Sequence, residues 1–335
     1  MLKELTKIPN TFQLLTFNFQ LLTLTFSLFV LFSSCEKNIN LDLPAPEDKI
    51  VIEGTIEPHL PPIIMVSHNT PYFASVDINT YKNLFIHNAD VRVNGVKLTE
   101  INLTQINDSI NNIAKYLGFS PDSLRNAIKN FIGITLYDLT SLNFYIYTTA
   151  DTSVWGKAGK TYNLQVNVPG KATVSSVTTI PTPLKPDSIW FVADDKHPGE
   201  GYMWLQISDP ANEDNYYRMF TLRLNKDKWF IPNIPSIIND KLFNGKTISA
   251  QIRRGEKSNS TISGLDFGRF AKGDTVIVKF STIDHQTYEF WNSAETDIRS
   301  NGSPFSTPSN IRSNITNGLG IWSGYGSYYK IVIFK

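Results

Sequence analysis

Lys160–Pro181 reads KTYNLQVNVPGKATVSSVTTIP. Proline pre-sets the backbone angle at the first corner of a tight turn, and glycine accepts the positive angle needed at the second. The stretch therefore predicts a β-hairpin turning at Pro169-Gly170, with Val166, Val168, Val174 and Val177 among its apolar residues. Working outward, the same period of two recurs on both sides.

Towards the N-terminus, KIVIEGTI (Lys49 to Ile56), PIIMVSHNT (Pro62 to Thr70) and ADVRVNGVKL (Ala89 to Leu98) alternate apolar with polar residues, the last with a tight-turn signal at Asn94-Gly95. Between these strands and the hairpin lies a helical island, LTQINDSINNIAKYLGFSPDSLRNAIKNFIG. Ile106, Ile110, Ile113 and Leu117 are spaced for one helix, and Ser120-Pro121 opens a second with Leu124 and Ile128 on one face. After Pro181, TPLKPDS (Thr182 to Ser188) is the best domain boundary. Strand patterns then resume with SIWFVA, YMWLQISD, NYYRMFTLRLN, KTISAQIRR and GDTVIVKFSTID. His285 to Ile298 predicts a helix burying Tyr288, Trp291, Ala294 and Ile298, and GLGIWSGYGSYYKIVIFK closes the chain as a strand stitched into a sheet.

The fold class expected is mainly β: two antiparallel β-sandwich-like domains with an inserted helical hairpin and one further short helix. Residues 49–183 form an N-terminal immunoglobulin-like sandwich carrying the insertion at about 104–132, and residues 184–335 a C-terminal β domain. The totals agree with a folded chain of this class. At 335 residues, with 41% hydrophobic residues, 14 Tyr and 21 Phe, it can fill one or two cores, and its aromatics suit strands and binding surfaces. A net charge of +1 supplies no basic field for nucleic acid.

One cysteine, Cys35, excludes an intrachain disulfide and multi-cysteine metal sites. It follows Lys3 and Lys7, an apolar run from Leu21 to Phe32, and the small pair Ser33-Ser34, which is the order of a secretory signal peptide. The small-small-Cys ending resembles the bacterial lipoprotein box, in which the cysteine thiol is acylated and the chain is cut before it. Residues 1–34 are then a signal peptide, and residues 35–48, with Pro44 and Pro46, a lipid anchor and tether. The resemblance departs from its usual form in having Phe32 three places before the cysteine, with Leu31 one earlier.

Beyond Cys35, SCEK, IVIEGTI, GKTYNLQVNVPG, TTIPTPLKPDSI, DPANEDNYYRMF, GDTVIVKFSTIDHQTYEFW and PSNIRSNITNGLGIWSGYGSYY resemble, in order and spacing, a Bacteroidota lipoprotein family labelled a domain of unknown function (family number 4249). The resemblance covers nearly all of the mature chain, with the helical island its clearest departure. It implies an outer-membrane, lipid-anchored (palmitate-bearing) protein, often in company with TonB-dependent receptors, and no established chemistry. Glu36-Lys37 after the cysteine leaves the periplasmic and cell-surface faces both open. Envelope proteins of that phylum are O-glycosylated where Asp-Ser/Thr precedes an apolar residue, so Ser109, Ser123, Ser188 and Thr275 are candidate glycosylation sites.

Chemistry-bearing patterns are sparse. His59, His68, His87, His197 and His285 make no HxH or HExxH, and there is no GxSxG, so no catalytic residue and no cofactor is expected. Asp194, Asp195 and Glu200 crowd a turn-rich loop as weak metal candidates, with a solvated hairpin the simpler reading. The most suggestive segment is IWSGYGSYY, where Trp322, Tyr325, Tyr328 and Tyr329 alternate with glycines as candidate ligand- or partner-binding rings; a terminal strand filling its sandwich is the bland alternative. The function expected is a non-enzymatic ligand- or receptor-binding accessory to TonB-dependent nutrient uptake. A structural or adhesion component of the envelope is the alternative, and a hydrolase with no sequence-visible site a remote one.

Overall fold

The computed structural model describes residues 47–69, 84–102, 145–227, 230–255, 268–300 and 310–335. In chain order these form β1 (Ile50–Ile56), β2 (Ile63–His68), β3 (Asp90–Val93), β4 (Val96–Lys97), β5 (Thr99–Asn102), β6 (Tyr145–Thr148), β7 (Thr161–Asn167) and β8 (Val174–Thr179). There follow β9 (Ser188–Ala193), β10 (Glu200–Ser208), β11 (Tyr216–Arg223), β12 (Ile231–Asn239), β13 (Thr247–Ile252), β14 (Phe270–Ala271), β15 (Thr275–Ile283), helix α1 (His285–Ser300) and β16 (Leu319–Ile333). The helical island, Cys35 and the residues before Glu47 lie outside the described residues.

The mainly β reading stands. Alternation puts Ile52, Ile56, Ile64 and Val66 of β1 and β2 against Val91, Val93, Leu164 and Val166 of β3 and β7, giving a first sheet-on-sheet core. A second joins Met203, Leu205 and Ile207 of β10 to Tyr217, Met219, Val276, Val278 and Phe280 of β11 and β15. The β7–β8 hairpin turns at Gly170 (φ 77°), and Lys171 N–H donates to the Val168 carbonyl at 3.1 Å. Val166 and Val174 are fully buried, but Val177 is half exposed, because the period of two carries it to the face opposite Val174.

A single eight-stranded sheet, β12-β11-β15-β16-β1-β2-β6-β5, runs through both cores. Its joint is β16. Leu319–Gly324 pairs parallel with β1, and Tyr325–Ile333 pairs antiparallel with β15. The boundary expected at 183/184 falls in a strand-free stretch, yet Trp322, from the far end of the chain, completes the first core, and Pro46–Lys335 is one compact unit. Where β16 changes partner it crosses the strand-free stretch closely. A Cβ at Gly324 would stand 2.5 Å from the Thr179 carbonyl oxygen, and one at Gly326 2.3 Å from that of Pro181.

Other differences have local causes. β12 carries Pro232 and Pro235 and so lacks a clean strand pattern; it is tolerated at the sheet edge, where its pairing with β11 shifts register between Arg218 and Phe220. Helix α1 buries Ala294 and packs Tyr288 and Trp291 against Ile237, Ile283 and Tyr325, but Ile298 is 71% exposed, because the apolar stripe outruns the sheet beneath it.

Two outcomes follow from these contacts. Gly326→Val forces the β16 crossing apart and should cost about 1–3 kcal/mol, read as a lower urea midpoint at unchanged slope. Tyr147 of β6 accepts from Ala89 N–H (3.1 Å) and donates to the Ile86 carbonyl (2.9 Å), with the Glu100 carboxylate 3.2 Å away. Burial, aided by Glu100, pushes its phenol up to about 12 from an ordinary 10.0. The protonated form is thus favoured by folding, so this contribution is intact below pH 10 and lost as pH rises through about 12. Tyr147→Phe orphans two buried backbone groups and should cost about 1–3 kcal/mol at neutral pH. The gap between wild type and variant should narrow from pH 10 to 12 in urea titrations.

Candidate functional site

The second core occupies one face of the β11-β15-β16 sheet, so the alternate residues Arg218, Phe220, Lys279, Tyr325 and Tyr329 project from the other. Helix α1 covers part of that face. Arg218, 5% exposed, donates from Nη1 to the Tyr325 hydroxyl (2.8 Å) and from Nε to Ser236 Oγ (3.1 Å). Its guanidinium lies 3.4 Å from the centre of the Trp291 ring, and Trp291 Nε1 donates to the same Tyr325 hydroxyl at 2.9 Å. Glu295, on the helix, accepts from the Ser236 hydroxyl and from Ser236 N–H at 3.1 Å. Glu53 of β1 keeps solvent-accessible surface but is crowded by protein; that desolvation raises its carboxyl, against the opposing pull of Arg218.

Beside this cluster, Lys279 and Glu57 form a buried ion pair, and the Tyr329 hydroxyl donates to Glu57 Oε2 at 2.7 Å. The Lys279 ammonium is 5.1 Å from the rings of both Phe220 and Tyr325. Tyr329 is 44% exposed along its ring, but its hydroxyl end is turned inward. Burial and the Glu57 carboxylate hold that hydroxyl well above its ordinary pKa.

Two open concavities, of about 480 and 620 Å³, share Asp284 and His285 at the start of α1. The first follows β8 from Ser175 to Thr179; the second runs past Glu213, Asp214 and Lys241. Asp284 caps the helix, accepting from Thr287 N–H (2.8 Å), and its other oxygen accepts from the Thr178 hydroxyl (2.8 Å), so one carboxylate ties α1 to β8. The Tyr216 ring sits 5.2 Å from His285 and 4.9 Å from Tyr288, centre to centre, and burial with Asp214 and Asp240 nearby raises its hydroxyl. The lining is rich in hydroxyls and carboxylates, and its geometry suits a polar ligand or a segment of another protein.

The residues singled out in the sequence are scattered. Trp322 is buried in the first core, donating from Nε1 to the Tyr162 carbonyl at 3.1 Å, and Tyr325 is buried under α1; both therefore act as packing rings and not as a surface platform. Tyr328 is half buried and Tyr329 is tied to Glu57. Asp194 accepts from Arg269 Nε (2.8 Å) and meets His197 Nδ1 at 2.9 Å, both of which hold its carboxyl below the usual range, while Glu200 lies 3.8 Å from Arg269 and Asp195 is exposed. Among the described residues no group of three His, Cys, Asp or Glu side chains could hold a metal. Ser188 and Thr275 are half buried in β9 and β15; Cys35, Ser109 and Ser123 lie outside the described residues. Lys279 and Glu57 went unnoticed in the sequence. Their only signal there was a charge inside an otherwise apolar alternation, as in TVIVKFSTI.

Residues 36–330 match the family described as Domain of unknown function (DUF4249), and the chain belongs to that family. No curated protein and no solved structure matches it.

Removing one partner of the buried pair leaves the other charge uncompensated. Lys279→Met should cost about 3–5 kcal/mol. The double variant Glu57→Gln/Lys279→Met should cost less than the sum of the singles, measured as a coupling energy by urea denaturation.

Proposed function

We propose that this member of the DUF4249 family is a non-enzymatic lipoprotein of the outer membrane that binds a nutrient or a receptor and assists TonB-dependent uptake. The observation that carries the reading is at the N-terminus. A positive region, an apolar run and Ser33-Ser34 lead to the one cysteine, and the family match begins at residue 36, directly after it. The shared part of the chain is thus what would remain after cleavage before an acylated Cys35, and several acyl chains on one residue make a stable anchor.

The folded body supports this in two ways. Its first residues are held firmly: Lys171 pairs with Asp48 at 2.6 Å, His68 Nδ1 lies 2.9 Å from Asp48, and Asn69 donates to the Glu47 carbonyl at 3.0 Å. The first described residues of the body thus lie beside the β7–β8 turn. The open polar groove at Asp284 and His285 then gives a partner somewhere to rest. The structural or adhesion reading draws on a different feature, the exposed Tyr329, Ile331 and Ile333 of the last strand, an apolar row that favours protein contact.

The decisive experiment is co-purification from native outer membranes through a C-terminal tag. A TonB-dependent receptor in stoichiometric amount is the expected result; the tagged protein coming down alone would remove the uptake reading. In parallel, Cys35→Ser should shift the protein from the membrane to the soluble fraction. Retention on the membrane with an unmodified cysteine would refute the anchor.

A further inference from the structure

We infer that the open edge of β16, from Ser327 to Ile333, pairs with the same edge of a second copy of this chain, antiparallel and centred on Ile331. The pairing of β16 with β1 ends at Gly324, so Tyr325–Ile333 has a strand, β15, on one side only. The hydrogen bonds at the end of β16 show which groups face the open side. Phe334 N–H donates to the Asp274 carbonyl at 2.9 Å, and the Phe334 carbonyl accepts from Gly273 N–H at 2.7 Å. Even-numbered residues therefore bond towards β15, and the N–H and C=O groups of Ser327, Tyr329, Ile331 and Ile333 point away from it. Among the described residues, none of these outward groups has a backbone partner. Edges are ordinarily blunted by proline, a bulge or charge. Tyr325–Ile333 contains no proline, and it pairs with β15 without a register shift. Its solvent face is apolar: Tyr329 is 44%, Ile331 59% and Ile333 52% exposed, and the 39% exposed Leu224 lies beside Thr275, the partner of Ile333.

Any strand could use the open hydrogen bonds, but the side chains select this same strand as the occupant. Centring on Ile331 sets Ile331 against Ile331 and Tyr329 against Ile333, so outward groups meet outward groups and each pair exchanges both its hydrogen bonds. Opposed residues share a face, so every apolar side chain of the exposed row meets another apolar one. The one charge in the stretch, Lys330, falls opposite Val332, which keeps the two ammonium groups apart. Centring on Lys330 would set like charges face to face and would aim the outward groups past each other. Centring on Tyr329 would bring Ile333 of each copy against Tyr325 of the other, next to the end of β1. The Ile331 register therefore meets the hydrogen-bond, packing and charge conditions together. It is also closed: the two-fold contact uses up both open edges and stops at a dimer.

The inference goes beyond the uptake reading and does not rest on it. Sedimentation equilibrium of the full chain in a density-matched detergent should show a monomer–dimer equilibrium. Ile331→Lys places like charges together at the two-fold axis and should raise the dissociation constant roughly tenfold or more. Because that side chain is already largely in solvent, the urea midpoint at a monomeric concentration should not move. Disulfide formation reads the register, in a Cys35→Ser background that leaves the introduced cysteine as the only one. Opposed residues of a hydrogen-bonded pair have Cα atoms about 5.5 Å apart, which a disulfide can span. Ile331→Cys should therefore give a covalent dimer, and Ile333→Cys, which faces Tyr329 of the other copy, should not. A monomer at every concentration overturns the inference and leaves Lys330 as a guard on a bare edge. A dimer indifferent to Ile331→Lys, or equal cross-linking at 331 and 333, overturns it as well. A monomer whose receptor co-purifies with wild type but not with Ile331→Lys would give the edge to a receptor strand, sinking this inference and keeping the uptake reading. A dimer that brings down no receptor would sink the uptake reading alone.

Discussion

Strand β16 has to satisfy two neighbours of opposite direction. Up to Gly324 it runs parallel to β1, and from Tyr325 it runs antiparallel to β15. Everything else in the body is arranged around that change. The first core is incomplete without Trp322, and helix α1 packs on Tyr325, the first residue after the switch. The glycines at 324 and 326 are where the strand grazes the Thr179 and Pro181 carbonyls, a separation that leaves no room for a side chain. Because β1 and β16 lie at opposite ends of the folded chain, the eight-stranded sheet cannot close until the last residues are in place. Such non-local pairing is slow to form.

The buried charges sit beside this switch, and their position explains why an apolar seam would not serve. Lys279 and Glu57 come from sequence positions on either side of the strand-free stretch, β15 in one case and the residue directly after β1 in the other. A buried ion pair adds little stability over a hydrophobic replacement, but it penalises any packing that separates its partners. The same holds for Arg218, whose guanidinium is matched to one tyrosine hydroxyl, one serine and one indole face. Apolar side chains there would tolerate sliding of the β11-β15-β16 sheet under α1; these hydrogen bonds hold one register.

Much of the fold was legible because period-two alternation survives wherever one face is buried. The hairpin from Lys160 to Pro181, the Asn94-Gly95 turn and the closing strand were all readable on that basis. β12 was not, since two prolines break its pattern and only an edge position makes it tolerable. The division into two domains looked natural at Pro181–Ser188 because local signals report loops. They cannot report that a strand from the far end returns to pair with β1. Two of the candidate rings face inward for a related reason. IWSGYGSYY looks like a surface motif, but its glycines mark close backbone approach, and close approach means burial, so Trp322 and Tyr325 face inward. SIWFVA looked like an ordinary strand, and nothing local reveals that its Trp190 faces solvent until the core partner of Phe191 is known.

These features decide how firmly the two cores are held to each other. The chain enters at Glu47 and Asp48, which are fastened to Lys171 and Asn69 on the first core. Two sandwiches joined only by a linker such as Pro181–Ser188 would let one swing against the other, as domains with small interfaces do. Here a continuous strand, a sheet shared by both cores and an internal ion pair connect the two instead. The two cores therefore hold one fixed direction relative to each other.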